Sequence, residues 1–112
     1  MKSDERIAPL NFAPATPEID GWPLFAFGRV MITANCLYTL LHHNLSAREA
    51  FGRHTSGDWG DLAPEYKARN NKALLSGKAP LCSIYILSKE VRLRIITASS
   101  RSHTRILLAN AR

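Results

Sequence analysis

The chain has 112 residues, is 46% hydrophobic and carries a formal net charge of +6 at neutral pH. That length supports one domain around a single modest core. No run approaches the ~18 apolar residues that a membrane span needs, and the opening MKSDERIAPL lacks the apolar stretch of a secretory signal.

The charge is unevenly placed. Residues 46–112 hold twelve Lys/Arg against five Asp/Glu, whereas residues 1–45 hold three against four. A positive field of this kind favours an acidic protein or nucleic acid as partner. The two cysteines, Cys36 and Cys82, lie far apart in apolar segments. They read as reduced, buried thiols of a cytoplasmic protein.

Residues 1–23 contain Pro9, Pro14, Pro17 and Pro23 and show no periodicity, which predicts a disordered, proline-rich arm. Residues 24–112 are expected to form a single α+β domain. LFAFGRVMIT, residues 24–33, is rich in aromatic and β-branched residues and reads as a strand, with Gly28 marking a bulge or close backbone approach. Thr33 is placed to cap ANCLYTLLHHN, where Leu37, Leu40 and Leu41 share one helical face. Asn44 suits the left-handed end of that helix. Ser46-Ala47-Arg48-Glu49 has the form of a capping box, with Leu45 and Ala50 as its hydrophobic staple. The helix it opens runs to about His54, and Gly57 stops it.

A third helix is expected from Ala63 or Pro64 to Gly77. Pro64 fits a first turn because its missing N–H has no helical partner there, and Asp61 stands upstream as a cap. Leu62, Tyr66, Asn70, Ala73 and Leu74 share a face. Past Pro80 the apolar period changes to two. LCSIYILS, RLRIIT and HTRILL read as three strands joined by short connections, hence an antiparallel meander. The expected fold is α+β: an N-terminal strand, three helices, then a three-stranded antiparallel meander, with the helices on one sheet face.

HTSGDWGDLAPEY, residues 54–66, sets Trp59 between glycines and aspartates. Gly57 and Gly60 supply backbone angles closed to other residues, Asp58 and Asp61 can bond backbone N–H groups, and Trp59 can pin the corner to the core. The functional alternative leaves Trp59 exposed as a plate for a partner.

GRVMIT, GDWGDL, Asn70, SIYIL, IIT and RSHTRILL lie in the order and spacing found in a family of small bacterial proteins often encoded on plasmids and other mobile elements, which this chain resembles over residues 24–108. Some members carry labels such as plasmid-related protein or restriction-associated subunit. The resemblance implies that residues 57–62, Asn70, Ser83, Tyr85, Arg101 and Thr104 occupy motif positions, and it implies no activity. This chain departs from the pattern at Lys89-Glu90-Val91 in place of an Asp-Gly hairpin, at Arg94 in place of an aromatic, and at Ala98 and Ser100 in place of acids.

His42 and His43 are adjacent and diverge by about 100° on a helix, and no Cys-x-x-Cys or His-x-x-x-His pair occurs, so no metal is expected. Nucleophile and phosphate-loop signatures are absent as well, and no cofactor is expected. Asn70, Ser83 and Tyr85 are polar residues at apolar positions, and they suggest a hydrogen-bonded network with the Arg101 region.

Strand alternation places Arg92 and Arg94 on the face opposite Leu93 and Ile95, and His103 and Arg105 opposite Thr104 and Ile106. The expected function is therefore binding without catalysis. Its surface is a basic sheet face of Lys89, Arg92, Arg94, Arg101 and Arg105, with Trp59 as a further contact, and its partner is an acidic protein or a nucleic acid. The alternative is a small metal-independent nuclease toxin that uses His103, Arg101 and Arg105.

Overall fold

A computed structural model describes residues 23–109 and the backbone of residues 7–9. The chain runs β1 (Ile7–Pro9), β2 (Arg29–Thr33), α1 (Ala34–His42), α2 (Arg48–Thr55), α3 (Pro64–Ser76), β3 (Leu81–Ile86), β4 (Arg92–Thr97) and β5 (His103–Leu108). It is an α+β fold. The strand order is β1-β2-β5-β4-β3.

The three C-terminal strands pair antiparallel, with Ser83 opposite Ile95 and Thr97 opposite Thr104. They do not stand alone, which corrects the expected three-stranded sheet. β2 returns from the other end of the chain to lie parallel to β5, with Val30 opposite Thr104 and Ile32 opposite Ile106, so the sheet is mixed. β1 then pairs antiparallel with β2. The rest of the expected disordered arm, residues 1–6 and 10–22, lies outside the described residues.

The first strand is also shorter than its composition suggests. Gly28 has φ +65°, and a Cβ there would lie 2.1 Å from the Ser102 carbonyl oxygen. That close approach ends the strand, because only glycine fits it. Upstream, the Leu24 N–H donates to the Thr55 carbonyl at 2.8 Å, so residues 24–27 cross beneath α2 rather than extend the sheet.

Local helix signals mostly hold. Asn44 has φ +57°, α3 starts at Pro64, and Gly77 ends it in the left-handed region. Four details differ. Thr33 stands at the N-cap of α1, but its hydroxyl donates to Asn35 Oδ1 at 3.0 Å and makes no cap bond to a helix N–H. The Ser46 hydroxyl accepts from the N–H of Arg48 rather than that of Glu49. On α1 the buried positions are Cys36 and Leu40, while Leu41 is 66% exposed. The Asp61 carboxylate does not cap α3; it pairs with Arg92 at 3.1 Å, and the Asp61 N–H donates to the Ile84 carbonyl.

Pleating sorts the sheet into two faces. Val30, Ile32, Leu93, Ile95 and Ile106 point inward and join Cys36 and Leu40 of α1 and Ala50 and Phe51 of α2 in the main core. Trp59, Ala73 and Leu81 form a second cluster with Phe25, Leu62, Leu74 and Ala79 around them. α3 touches the body narrowly, burying only Asn70 and Ala73, and it meets β3 at the strand's edge rather than over its face.

Candidate functional site

The outer face of the sheet carries most of the cations singled out by alternation. Register places Arg94 between Ile84 and Leu107, Arg105 between Met31 and Ile96, and Arg92 opposite Ile86. Arg29 lies opposite His103 at the start of β2. The rows through Arg92, Arg94 and Arg105 thus set a cation beside aliphatic side chains, whereas Arg29 faces His103. Arginine stems are themselves apolar, so they lie against such neighbours while the charged head reaches water. Arg94 is exposed and has no ion-pair partner among the described residues. Arg105 is half-buried, and its Nε is buried with no hydrogen-bond partner among them. Lys89 is exposed in the β3–β4 turn.

Two residues expected on this surface lie elsewhere. Trp59 is 3% exposed, which corrects its assignment as an exposed contact. Its ring stacks on Phe25 at 6.3 Å and meets the edge of His54 at 5.8 Å, and Nε1–H donates to Asn71 Oδ1 at 2.9 Å. It is a wedge for the corner between α2 and α3. Arg101 has φ +63° and directs its guanidinium away from the outer face. Nη1 donates to the carbonyls of Ala79 at 2.7 Å and Ala98 at 3.0 Å, and Nη2 donates to that of Ala73 at 3.2 Å. A cation at the C-terminal end of α3 also suits the helix dipole. Arg101 therefore ties α3 to two loops. The trio His103, Arg101 and Arg105 is not gathered around one point.

The expected single polar network is instead three separate devices. In the first, Asn70 acts as a peptide mimic on the edge of β3. Its Nδ2 donates to the Cys82 carbonyl at 2.7 Å, and its Oδ1 accepts from the Cys82 N–H at 3.2 Å. Asn70→Leu should cost about 2 kcal/mol, because two edge groups lose their partners; chemical denaturation measures it. In the second, the Tyr85 hydroxyl donates to the Asp58 carbonyl at 2.7 Å, while Arg53 pairs with the Asp58 carboxylate at 2.7 Å and lies over the Tyr85 ring at 4.9 Å. The Arg53 guanidinium holds the Asp58 carboxyl below its usual range.

The third device was missed in the sequence. His54, at the end of α2, is fully buried between Ser83 and Thr97. Directions follow from the one acceptor that cannot donate. The Thr104 hydroxyl donates to the Phe27 carbonyl at 2.8 Å. Thr97 must then donate to Thr104, at 2.7 Å, and accept from His54 Nε2–H at 2.9 Å. His54 Nδ1 is left bare and accepts from the Ser83 hydroxyl. Burial pushes the His54 pKa from 6.5 down to about 3. A base beside a hydroxyl resembles a catalytic dyad, but Ser83, His54, Thr97 and Thr104 are all 0% exposed. With no approach for substrate, the chain of bonds fastens α2 to three strands. Its signal was in the sequence: Ser83, Thr97 and Thr104 occupy inward positions of three strands, and facing hydroxyls require a buried polar partner.

Cys36 and Cys82 are free thiols. Burial raises the Cys36 pKa to about 12, which removes it as a nucleophile. Among the described residues no group of three or more His, Cys, Asp or Glu is placed to hold a metal ion, and no helix is long and apolar enough to cross a membrane. Searches of protein-family models, curated proteins and solved structures find no match to this chain.

Proposed function

We propose that the chain is a binding module for an acidic protein surface, which it engages through the outer face of its sheet. The observation that carries this is the alternation of Arg92, Arg94 and Arg105 with Ile84, Ile86, Ile96 and Leu107 on adjacent strands. A partner with carboxylates set among aliphatic residues meets both components at once, and arginine is suited to planar pairing with carboxylate. A nucleic acid fits less well. The bases of a single strand are held by stacking on aromatic plates, and no Phe, Tyr or Trp lies on the outward positions of β2 to β5. The setting that goes with this reading is a reducing cytoplasm and the mobile-element family that the GDWGDL and RSHTRILL motifs resemble.

The test uses two polyanions of matched charge, poly-glutamate and single-stranded DNA, titrated calorimetrically at about 0.15 M salt, where distant charges are screened. Poly-glutamate is expected to bind, and the double substitution Arg94→Glu with Arg105→Glu to weaken it by about tenfold or more, roughly 1.4 kcal/mol. DNA should bind no more tightly and remain intact. Tighter binding of DNA, its cleavage, or an unaffected double variant would each defeat the proposal.

A further inference from the structure

A cleft of about 700 Å³ opens between the start of α2 and the hairpin end of β3. Arg48, Glu49 and Ala50 form one wall, and Ile86 and Leu87 form the other. What makes it more than a surface hollow is the backbone of β3, which is an edge strand. Alternate residues of an edge strand turn their N–H and C=O outward. At Cys82 both groups are taken by the Asn70 amide. At Ile84 the N–H donates to the Trp59 carbonyl, and the carbonyl accepts from the Asp61 N–H, closing a parallel bridge with Gly60. A Cβ on Gly60 would lie 2.0 Å from the Ile84 carbonyl oxygen, so glycine is what lets that segment come so close.

Ile86 is next in the series. Leu87 beyond it turns its N–H back to Val91 on the β4 side. The edge is therefore closed at two rungs and open at the third, where Ile86 lines the cleft and its outward N–H and C=O have no partner among the described residues. The charges of the walls point the same way. Arg53 is held by Asp58 at 2.7 Å and lies in the field of Glu49. The Arg48 side chain has no ion pair or hydrogen bond among the described residues.

We propose that this cleft is a strand-addition site for a short extended peptide bearing acidic side chains. The peptide backbone exchanges two hydrogen bonds with Ile86, an aliphatic side chain packs against the half-buried Leu45 and Leu87, and a carboxylate meets Arg48. The cleft shares Ile86 with the outer face, but the site rests on the open backbone rung and on Arg48, so it stands if the outer-face reading falls.

The test is a titration of the ¹⁵N-labelled full chain with an acetylated, amidated peptide that alternates valine and aspartate. Saturable amide shifts are expected at Ile86, Leu87 and Arg48, with the Ile86 amide moving downfield as its N–H gains an acceptor. The same peptide N-methylated at its central residues, or carrying lysine for aspartate, should bind about tenfold more weakly, as loss of about one hydrogen bond or ion pair implies. Ile86→Pro removes the outward N–H, together with the isoleucine side chain and the Ile86 amide signal itself, and proline is compatible with an edge strand; the peptide-induced shifts at Leu87 and Arg48 should be lost with the binding. Arg48→Glu, at an exposed position, gives a second variant that leaves β3 untouched. Unchanged affinity for the N-methylated peptide, equal binding of the lysine peptide, or no saturable shift at Ile86 overturns the proposal. Shifts confined to Arg94 and Leu107 also overturn it, and assign the peptide to the outer face instead.

Discussion

Acidification from neutral pH to about pH 3 is expected to remove about 4 kcal/mol of folding stability through His54 alone. The folded chain keeps this imidazole neutral, because burial lowers its pKa from 6.5 to about 3. Once unfolded, the same ring takes up a proton near its ordinary value. Between those two pKa values the unfolded state binds more protons. Stability therefore falls as pH drops through that window, by about 1.4 kcal/mol per unit, and is complete above the upper limit. The hydrogen bonds give a second reason. A protonated ring would carry a proton on Nδ1, aimed at a Ser83 hydroxyl that now donates to it. Urea denaturation at stepped pH measures the slope. The control is His54→Gln, which lowers stability at neutral pH but has nothing to titrate there. Asp58 is held below the usual carboxylate range by Arg53, and its contribution is lost only at the acid end, as pH falls below the unfolded carboxylate value of 3.8. A difference between the two proteins that stays constant with pH would show that His54 is not the buried neutral hub.

Trp59→Ala is expected to cost about 3–5 kcal/mol, the range for emptying a buried aromatic site. The indole fills the second core cluster with Ala73 and Leu81, stacks on Phe25 and gives up its N–H to Asn71. It also positions the segment whose Trp59 carbonyl and Asp61 N–H close the edge of β3 at Ile84. Losing the ring therefore loosens an edge as well as opening a cavity. Trp59→Phe keeps most of the apolar volume and leaves Asn71 without its donor, so about 1–2 kcal/mol is expected. Both values come from chemical denaturation. A loss below about 1 kcal/mol for the alanine variant would contradict a core wedge and return Trp59 to the surface.

How legible the molecule was depended on the range of the interaction. Pro64 and Gly77 bracket α3 as expected, since their effects are confined to one turn of backbone. Asn44 ends α1 in the left-handed region for the same reason. Ser46 bonds a neighbour of the predicted N–H, a one-residue error typical of a helix terminus. The candidate surface was legible where alternation governs it. Arg92 and Arg94 are exposed while Leu93 and Ile95 are buried. Arg101 was misread because it lies in a turn, where no period applies, and its positive φ swings the side chain toward the end of α3.

By itself, then, the sequence determined the element types past residue 28, and it determined which side chains of β4 and β5 share a face. Those properties come from helical turn and strand pleat, which repeat over a few residues and need no distant partner. Only the tertiary structure decided that β2 lies parallel beside β5, more than seventy residues away, and that His54 joins Ser83, Thr97 and Thr104. It also decided that the edge of β3 is closed at Cys82 and Ile84 and open at Ile86. These outcomes turn on which buried donors and acceptors find each other once the chain has collapsed, and no local period encodes such a pairing.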